Sequence, residues 1–242
     1  MGAFRFKKFS LQHEQSTMKI GTDAVLLAAL TSADGAQNLL DIGCGCGVIA
    51  FCMAQKLAAR TADAVIYGVD PDEQSILEAQ HNADTFPLLS KDKFHFVRST
   101  VQDFVRIVPA HSFDLIVSNP PFFGNDLKPT QSSRLKSKHR DEQLSFPDLL
   151  DAVLELLKPT GRFSIILPKT EGEEFNALAM QHGLFCKYRI SIHPTAQKPV
   201  HRMVQEYVLE PVFDCMEQLL VIRGADNNYT EEYRRVTKAF LL

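Results

Sequence analysis

The chain has 242 residues, of which 45% are hydrophobic and 23% are charged, and its formal net charge at pH 7 is −3. This length and apolar content suffice for the core of one large domain, and the slightly acidic balance argues against a protein that coats nucleic acid nonspecifically. Because no apolar stretch follows the first positive charges and no segment is apolar for long enough to cross a bilayer, we predict a cytoplasmic protein without a membrane segment.

Short apolar runs alternate with helical patterns through the middle of the chain. The pattern predicts helices over 18–30, 48–59, 73–83 and 149–157, and strands over 38–42, 64–69, 94–98, 113–118 and 162–167. Strands that alternate with helices of this length favour right-handed crossovers and a mostly parallel sheet with helices on both faces, an α/β fold.

The later runs 185–192 and 203–209 follow each other without a helical pattern between them, which predicts an antiparallel pair at one edge of the sheet. We expect a single domain over 1–242. Within it, 1–30 is predicted to be an N-terminal extension that contributes to the mouth of the site, and 211–242 a C-terminal appendage.

A glycine loop follows the first predicted strand. It contains Asp41, Gly43, Gly45 and Gly47, and ligands of open parallel sheets bind at this end of the strands. Glycine lets the backbone turn sharply and approach a ligand closely. A dinucleotide fingerprint would place a glycine or alanine at position 48, where Val48 stands, so the spacing favours S-adenosylmethionine over NAD. A plain tight turn is the remaining alternative.

Polar residues also follow the second and third predicted strands. Asp70 ends the second, where a carboxylate can accept both hydroxyls of a ribose; its alternative role is that of a helix cap beside Asp72. After the third strand, Thr100, Gln102 or Asp103 can pair with the adenine amine of the cofactor. The sequence does not decide among these three.

The tetrapeptide Asn119-Pro120-Pro121-Phe122 ends the fourth predicted strand. The Asn119 side-chain oxygen and the Pro120 carbonyl can accept the two N–H groups of a planar amine, on a backbone that the prolines stiffen. Phe122 supplies a face on which a base can stack. Together with the glycine loop, this predicts methyl transfer to a nitrogen, such as the exocyclic amine of an adenine that is unpaired or flipped out. A rigid turn with a buried phenylalanine is the structural alternative.

A basic segment at 128–140 follows the tetrapeptide. It contains no acid and five basic residues, Lys128, Arg134, Lys136, Lys138 and Arg140. A run of this kind is either a solvated loop or a contact for phosphates. Its position after the tetrapeptide leads us to predict that Lys136, Lys138 and Arg140 bind the substrate nucleic acid.

The segments 9–27 and 221–233, with the glycine loop and Asn119–Phe122, resemble the adenine N6-methyltransferases of valine transfer RNA. The resemblance covers nearly the whole chain. It implies the Rossmann-like fold of class I methyltransferases, with a mostly parallel seven-stranded sheet and an antiparallel edge strand. It also implies methylation of the adenine 3′ of the anticodon.

Residue by residue, the resemblance assigns Gly43, Gly45 and Asp70 to the cofactor and Asn119–Phe122 to the target base. It places Thr22 and Asp23 near the cofactor mouth and Lys19 beside the substrate pocket. The chain departs from the pattern at 99–101, where related enzymes commonly carry an acid. This departure concerns the contact to the cofactor's adenine, for which we name Thr100.

Other classes of protein remain as alternatives. A protein glutamine N5-methyltransferase acting on a release factor would present the same planar amide, but the segment before position 38 is too short for the helical domain that such enzymes usually carry. An RNA-binding module without activity and an NAD-dependent oxidoreductase are less compatible with the intact motifs. The five cysteines include no C-x-x-C pair, so we expect no metal. We expect a transfer RNA as partner, and a monomer.

Overall fold

The computed structural model describes residues 2–16, 19–61, 63–121 and 144–241. The strands are β1 (Phe4–Arg5), β2 (Ser10–Leu11), β3 (Asn38–Ile42), β4 (Val65–Asp70), β5 (Phe94–Arg98), β6 (Phe113–Ser118), β7 (Leu157–Pro168), β8 (Phe185–Thr195), β9 (Arg202–Val208) and β10 (Met216–Arg223). The helices are α1 (Thr22–Leu30), α2 (Val48–Ala58), α3 (Glu73–Thr85), α4 (Val101–Phe104), α5 (Phe146–Leu156), α6 (Lys169–Gln181) and α7 (Glu231–Thr237).

Within these residues, eight strands form the main sheet, in the order β10-β8-β9-β7-β6-β3-β4-β5. Strand β9 is antiparallel to its neighbours β7 and β8, whereas the other pairs are parallel. The predicted α/β class is confirmed. The sheet has one strand more than expected, because β10 comes from the predicted appendage and lies at the edge beyond the antiparallel pair.

Each face of the sheet carries its own hydrophobic cluster. Consecutive strand residues point to opposite faces, so Leu39 and Leu40 of β3 belong to different clusters. Helices α1, α2 and α3 pack on the first face, and α4, α5 and α6 on the second. Both faces are therefore covered, which agrees with the almost continuous apolar character of β3 and β6.

Several helix ends differ from the sequence prediction. Helix α1 begins at Thr22, after the extended Gly21, and not at 18. Helix α5 begins at Phe146, where the Ser145 hydroxyl accepts a hydrogen bond from the Asp148 N–H, whereas apolar periodicity alone indicates a start at 149. The capping hydroxyl of Ser145 sets the boundary of α5, whereas α1 begins after the extended backbone of Gly21 without a side-chain cap. Among the described helices, none has the length and apolar character needed to cross a membrane.

The strand order reverses direction at β3. From β3 the chain continues outwards to β4 and β5, and then crosses back to β6 on the other side of β3. Such a switch point opens a crevice at the carboxyl ends of the two central strands, where ligands of α/β proteins bind. The loops that follow β3 and β6 flank this crevice, and they carry the glycine loop and the Asn119 tetrapeptide.

Candidate active site

A cavity of about 570 Å³ lies at this switch point. Of the residues that the sequence names for the site, those lining the cavity are Lys19, Thr22, Asp23, Gly43, Gly45, Asp70, Thr100, Gln102, Asn119 and Pro121. Asp41, Gly47 and Pro120 do not line it. Phe122, Lys136, Lys138 and Arg140 lie outside the described residues.

Gly43 and Gly45 present open backbone to the cavity. Their φ angles are +73° and +52°, a backbone conformation that residues other than glycine rarely adopt. A Cβ built on either residue would meet no heavy atom within 4 Å, so both lie beside free space. The Gly43 N–H donates to the Val69 carbonyl at 2.8 Å, which holds the loop against the end of β4. The loop therefore forms a cradle that any side chain would fill.

Gly47 and Asp41, from the same motif, lie behind the cradle. A Cβ on Gly47 would come within 2.7 Å of the Phe51 ring and 3.2 Å of the Phe96 ring, so this glycine permits helix α2 to pack. The fully buried Asp41 accepts the Ala50 N–H at 3.0 Å. Burial raises the pKa of Asp41 to about 7. Asp41 thus ties α2 to β3 from a position outside the cavity.

Asp70 fixes the other wall of the cradle. One carboxylate oxygen accepts the Gly45 N–H and the other the Asp72 N–H, both at 2.9 Å. Burial raises the pKa of Asp70, and the bonds from Asp72 and Gly45 partly offset that rise. The cap of α3 is Asp72, which accepts the Ser75 N–H. Because a carboxylate oxygen can accept more than one hydrogen bond, Asp70 keeps acceptor capacity towards the cavity.

The three candidates for a contact to the cofactor's adenine lie in the segment after β5, and their side chains differ in how far they are already hydrogen-bonded. The Thr100 hydroxyl caps α4 by accepting the Asp103 N–H at 3.2 Å, and it donates to the Asp103 carboxylate. Asp103 also pairs with Arg106 at 2.9 Å, on the exposed side of the helix. Gln102 lines the cavity, and its amide has no hydrogen bond to any residue that the structure describes. Gln102 therefore has the most freely available polar group.

Asn119 lines the cavity and carries an unpaired side-chain acceptor. Its Oδ1 atom is buried, and no donor among the described residues reaches it. A buried acceptor without a partner costs roughly 1–3 kcal/mol. The end of β6 that carries Asn119 is held in place, since the Ser118 hydroxyl donates to the Ile42 carbonyl at 2.9 Å. A ligand that brings an N–H group to this point would satisfy the orphaned oxygen.

The N-terminal segment 12–16 is held over the glycine loop by two side chains of α3. Glu78 accepts the N–H groups of Glu14, Gln15 and Ser16, at 2.7, 3.2 and 3.0 Å. Burial raises the Glu78 pKa, but these bonds and one from the Ser16 hydroxyl outweigh it, so that the pKa lies below its usual value.

The second anchor is Asn82, one helical turn beyond Glu78. Its side chain pairs with both backbone groups of Gln12 and also donates to the Cys46 carbonyl in the glycine loop. Lys19, at the cavity mouth, donates to the carbonyls of His13 and Glu14 in the same segment. This pair of anchors was not predicted from the sequence. The sequence signal for these anchors is a carboxylate and an amide four positions apart on the packed face of α3.

We expect Glu78→Gln to loosen the segment, because an amide has one acceptor oxygen and turns a donor towards the N–H groups. The free energy of unfolding should fall by roughly 1–3 kcal/mol, and trypsin should cleave faster after Lys19. Glu73→Gln is the matched control, because Glu73 lies on the same helix and pairs with the exposed Arg98. Equal cleavage rates in the two variants would contradict this anchoring role.

No group of three or more His, Cys, Asp or Glu side chains that could hold a metal ion occurs in 2–16, 19–61, 63–121 or 144–241. The polar groups that line the cavity include the amides, carboxylates and backbone groups described above. Opposite these groups, Asp23 in the first turn of α1 pairs with Arg202 at 2.7 Å. This ion pair joins the mouth of the cavity to the start of β9.

Comparison with known proteins gives matches over the whole chain. The family model for the methyltransferase small domain matches residues 14–174. The chain is 34% identical over 239 residues to a tRNA1(Val) (adenine(37)-N6)-methyltransferase of Trichodesmium erythraeum, covering 99% of this chain and 97% of that relative. It is 35% identical over 247 residues to the enzyme of the same name from Serratia proteamaculans, covering 100% and 90%.

Among solved structures, the fold is similar to that of a predicted O-methyltransferase from Agrobacterium tumefaciens. The TM-score is 0.64 at 17% identity, and the match covers 90% of this chain and 96% of that one. At this identity the likeness concerns the fold.

Proposed function

The chain belongs to the methyltransferase small domain family and, within it, to the tRNA1(Val) (adenine(37)-N6)-methyltransferases, and we propose the following reaction for it. It transfers a methyl group from S-adenosylmethionine to the exocyclic N6 of an adenine in the anticodon loop of a transfer RNA, with valine transfer RNA as the expected substrate. The observation that carries this proposal is the buried, unpaired Oδ1 of Asn119 in the cavity wall.

The cavity fits the cofactor. Its volume of about 570 Å³ lies within the usual range of small-molecule sites. Gly43 and Gly45 would lie against the cofactor with their open backbone, Asp70 would accept its ribose hydroxyls, and Gln102 would pair with its adenine amine. The bound cofactor supplies an electrophilic methyl group. For the adenine contact we propose Gln102 in addition to Thr100, which was named from the sequence, because the Thr100 hydroxyl already caps α4.

The protein's part in the reaction is to position and activate the amine. Asn119 Oδ1 accepts one N–H of the adenine amine, and the Pro120 carbonyl is the acceptor that the sequence predicts for the other. Pro120 does not line the cavity in this structure, and its carbonyl receives no hydrogen bond from the described residues. Two acceptors on the two hydrogens withdraw the nitrogen lone pair from the ring and direct it towards the methyl group. Pro120 and Pro121 fix the backbone φ, so that both acceptors stay in place. The tetrapeptide contains no titratable base.

The remaining predicted contacts complete the proposal. Phe122 stacks on the target base, and Lys136, Lys138 and Arg140 bind phosphates; these four lie outside the described residues, so their roles rest on the sequence. Lys19 stands at the mouth, where the RNA enters. We further propose that 1–242 works as a single, monomeric domain in the cytoplasm, where transfer RNA is found. Lys7, whose side chain donates to the Lys238 carbonyl, joins the two ends of the chain.

Labelled S-adenosylmethionine and unmodified valine transfer RNA test the proposal. We expect label in N6-methyladenosine after nucleoside analysis. The same RNA with guanine in place of the adenine 3′ of the anticodon is the matched control and should stay unlabelled. Label that enters a release factor and not the RNA would favour the glutamine methyltransferase and overturn the proposal.

A further inference from the structure

A second concave surface lies along α7, away from the cofactor cavity. We call it the α7 groove; its lining residues are Lys7, Tyr229, Glu231, Tyr233, Arg234, Arg235, Thr237, Lys238 and Leu241, and its volume is about 570 Å³. Four of these side chains are basic and one is a carboxylate. The chain as a whole carries a net charge of −3, so the groove is a basic patch on a slightly acidic protein.

Two of the four basic side chains of the groove have no hydrogen-bond or ion-pair partner among the described residues, whereas Lys7 donates to the Lys238 carbonyl. Arg234 and Lys238 have side chains without a hydrogen bond or ion pair to the described residues. Arg235 lies 3.8 Å from Glu232, and its side chain is 76% exposed. An exposed pair at this distance contributes little to folding stability. The fold therefore does not account for the clustering of these cations.

An arginine and two tyrosines stack at one end of the groove. The Arg223 guanidinium lies 4.3 Å from the centre of the Tyr229 ring, which in turn stacks on Tyr233 at 4.6 Å and an interplanar angle of 22°. One guanidinium nitrogen of Arg223 donates to the Asn227 carbonyl at 2.7 Å. The stack and this bond fix the guanidinium plane while most of its N–H donors stay available, an arrangement suited to a phosphate group.

This end of the groove and the active site both lie at the carboxyl ends of strands that run in the same direction. Arg223 ends β10, which runs parallel to β8 and thus in the direction of β6, the strand that precedes Asn119. In the order β10-β8-β9-β7-β6, four strand spacings separate the two ends. At about 4.8 Å per spacing this is roughly 19 Å across the sheet. The register places Ser118 level with Glu217, so Arg223 also lies about 20 Å farther along the strands. A polynucleotide bound at Asn119 can bridge the resulting separation of roughly 25–30 Å.

We propose that the α7 groove and Arg223 bind the phosphate backbone of the transfer RNA at a distance from the methylated base. This rests on the proposed function and extends it, because the binding site then includes a second contact that is formed by the C-terminal segment. Arg223 and Lys238 contact phosphates, and Arg234 and Arg235 add to the positive potential of the groove. Phosphate contacts of this kind position an RNA without reading its sequence.

The test uses the full chain and unmodified valine transfer RNA. Arg234→Gln/Arg235→Gln/Lys238→Gln should raise the Kd for this RNA about tenfold or more at 0.15 M salt, and should reduce the slope of log Kd against log salt by about 2. Arg60→Gln/Lys91→Gln/Lys93→Gln removes the same charge at the opposite end of the sheet, and its Kd should stay within about twofold of the wild type. Neither variant should change the Kd for S-adenosylmethionine.

A charge-conserving change tests the stack itself. Arg223→Lys keeps the charge but loses the planar fork over Tyr229, and we expect a Kd for the RNA about threefold higher. If the wild type methylates the RNA while the groove variant binds it with the Kd and salt slope of its control, the groove proposal is overturned and the proposed function stands. If the wild type transfers no methyl group to the RNA, the proposed function itself fails.

Discussion

Replacement of Asn119 by alanine should reduce kcat for tRNA methylation by about a hundredfold to a thousandfold or more, as for the loss of other aligned transition-state hydrogen-bond groups. The reason is that Oδ1 is buried, unpaired among the described residues and part of the cavity wall. Without it the adenine amine keeps its lone pair in the ring and loses its orientation. The Kd for S-adenosylmethionine should stay within about threefold, because the cradle and Asp70 are untouched.

Asn38→Ala is the matched control for this experiment. Asn38 begins β3, next to β6, and its side chain donates to the Ser112 carbonyl at the opposite end of the sheet from the cavity. Its loss should lower stability and leave kcat near the wild-type value. Single-turnover rates with saturating cofactor and RNA give the comparison. An Asn119→Ala enzyme that turns over within a few-fold of wild type would refute the assigned role.

Much of the fold could be predicted because each βα unit carries its own signals. Strands 38–42, 94–98 and 113–118 have the predicted bounds, since each is a short apolar run between polar turns. Strand β10 was not predicted, because its first four residues are exposed and do not alternate. The pairing of β10 with β8 depends on a neighbour distant in the sequence, which periodicity does not register.

The site could be predicted at the level of motifs, but not of each residue. The spacing of Gly43, Gly45 and Gly47 is regular, yet the first two open onto the cavity and the third packs against Phe51. That difference depends on φ and on side chains that only the folded structure brings close. Likewise, Glu78 reads as an ordinary helix residue until its partners at 14–16 are known.

Asp70→Ala should raise the Kd for S-adenosylmethionine by at least about a hundredfold. Two hydrogen bonds from ribose hydroxyls to a charged acceptor contribute roughly 1.5–3 kcal/mol each. The substitution also removes the acceptor for the Gly45 N–H, so that the cradle loses a support. Titration of the cofactor into each variant by calorimetry measures the effect. Because substrate binding is separate, the Kd for the RNA should stay within a few-fold.

Asp114→Ala is a close control for that loss. Asp114 also sits on a central strand and accepts two backbone N–H groups, from Gln37 and Asn38, but at the end of the sheet away from the cavity. It pairs in addition with Lys158 at 2.7 Å. We expect this variant to unfold at lower denaturant concentration and to bind the cofactor normally. Equal cofactor affinities in the two variants would show that Asp70 acts through stability and not through contact.

The pH dependence of cofactor binding distinguishes a direct contact by Asp70 from an effect of Asp70 on folding stability. Burial raises the pKa of Asp70 above the ordinary carboxyl value, so in the free protein this group takes up a proton at a higher pH than a solvated aspartate. Hydroxyl donors favour the ionised carboxylate, hence bound cofactor lowers that pKa, and by linkage the affinity should fall as the pH falls towards it. Asp70→Ala should lack this component, whereas Asp114→Ala should retain it. A wild-type affinity that does not change between neutral pH and the onset of acid unfolding would contradict a direct contact between Asp70 and the ribose.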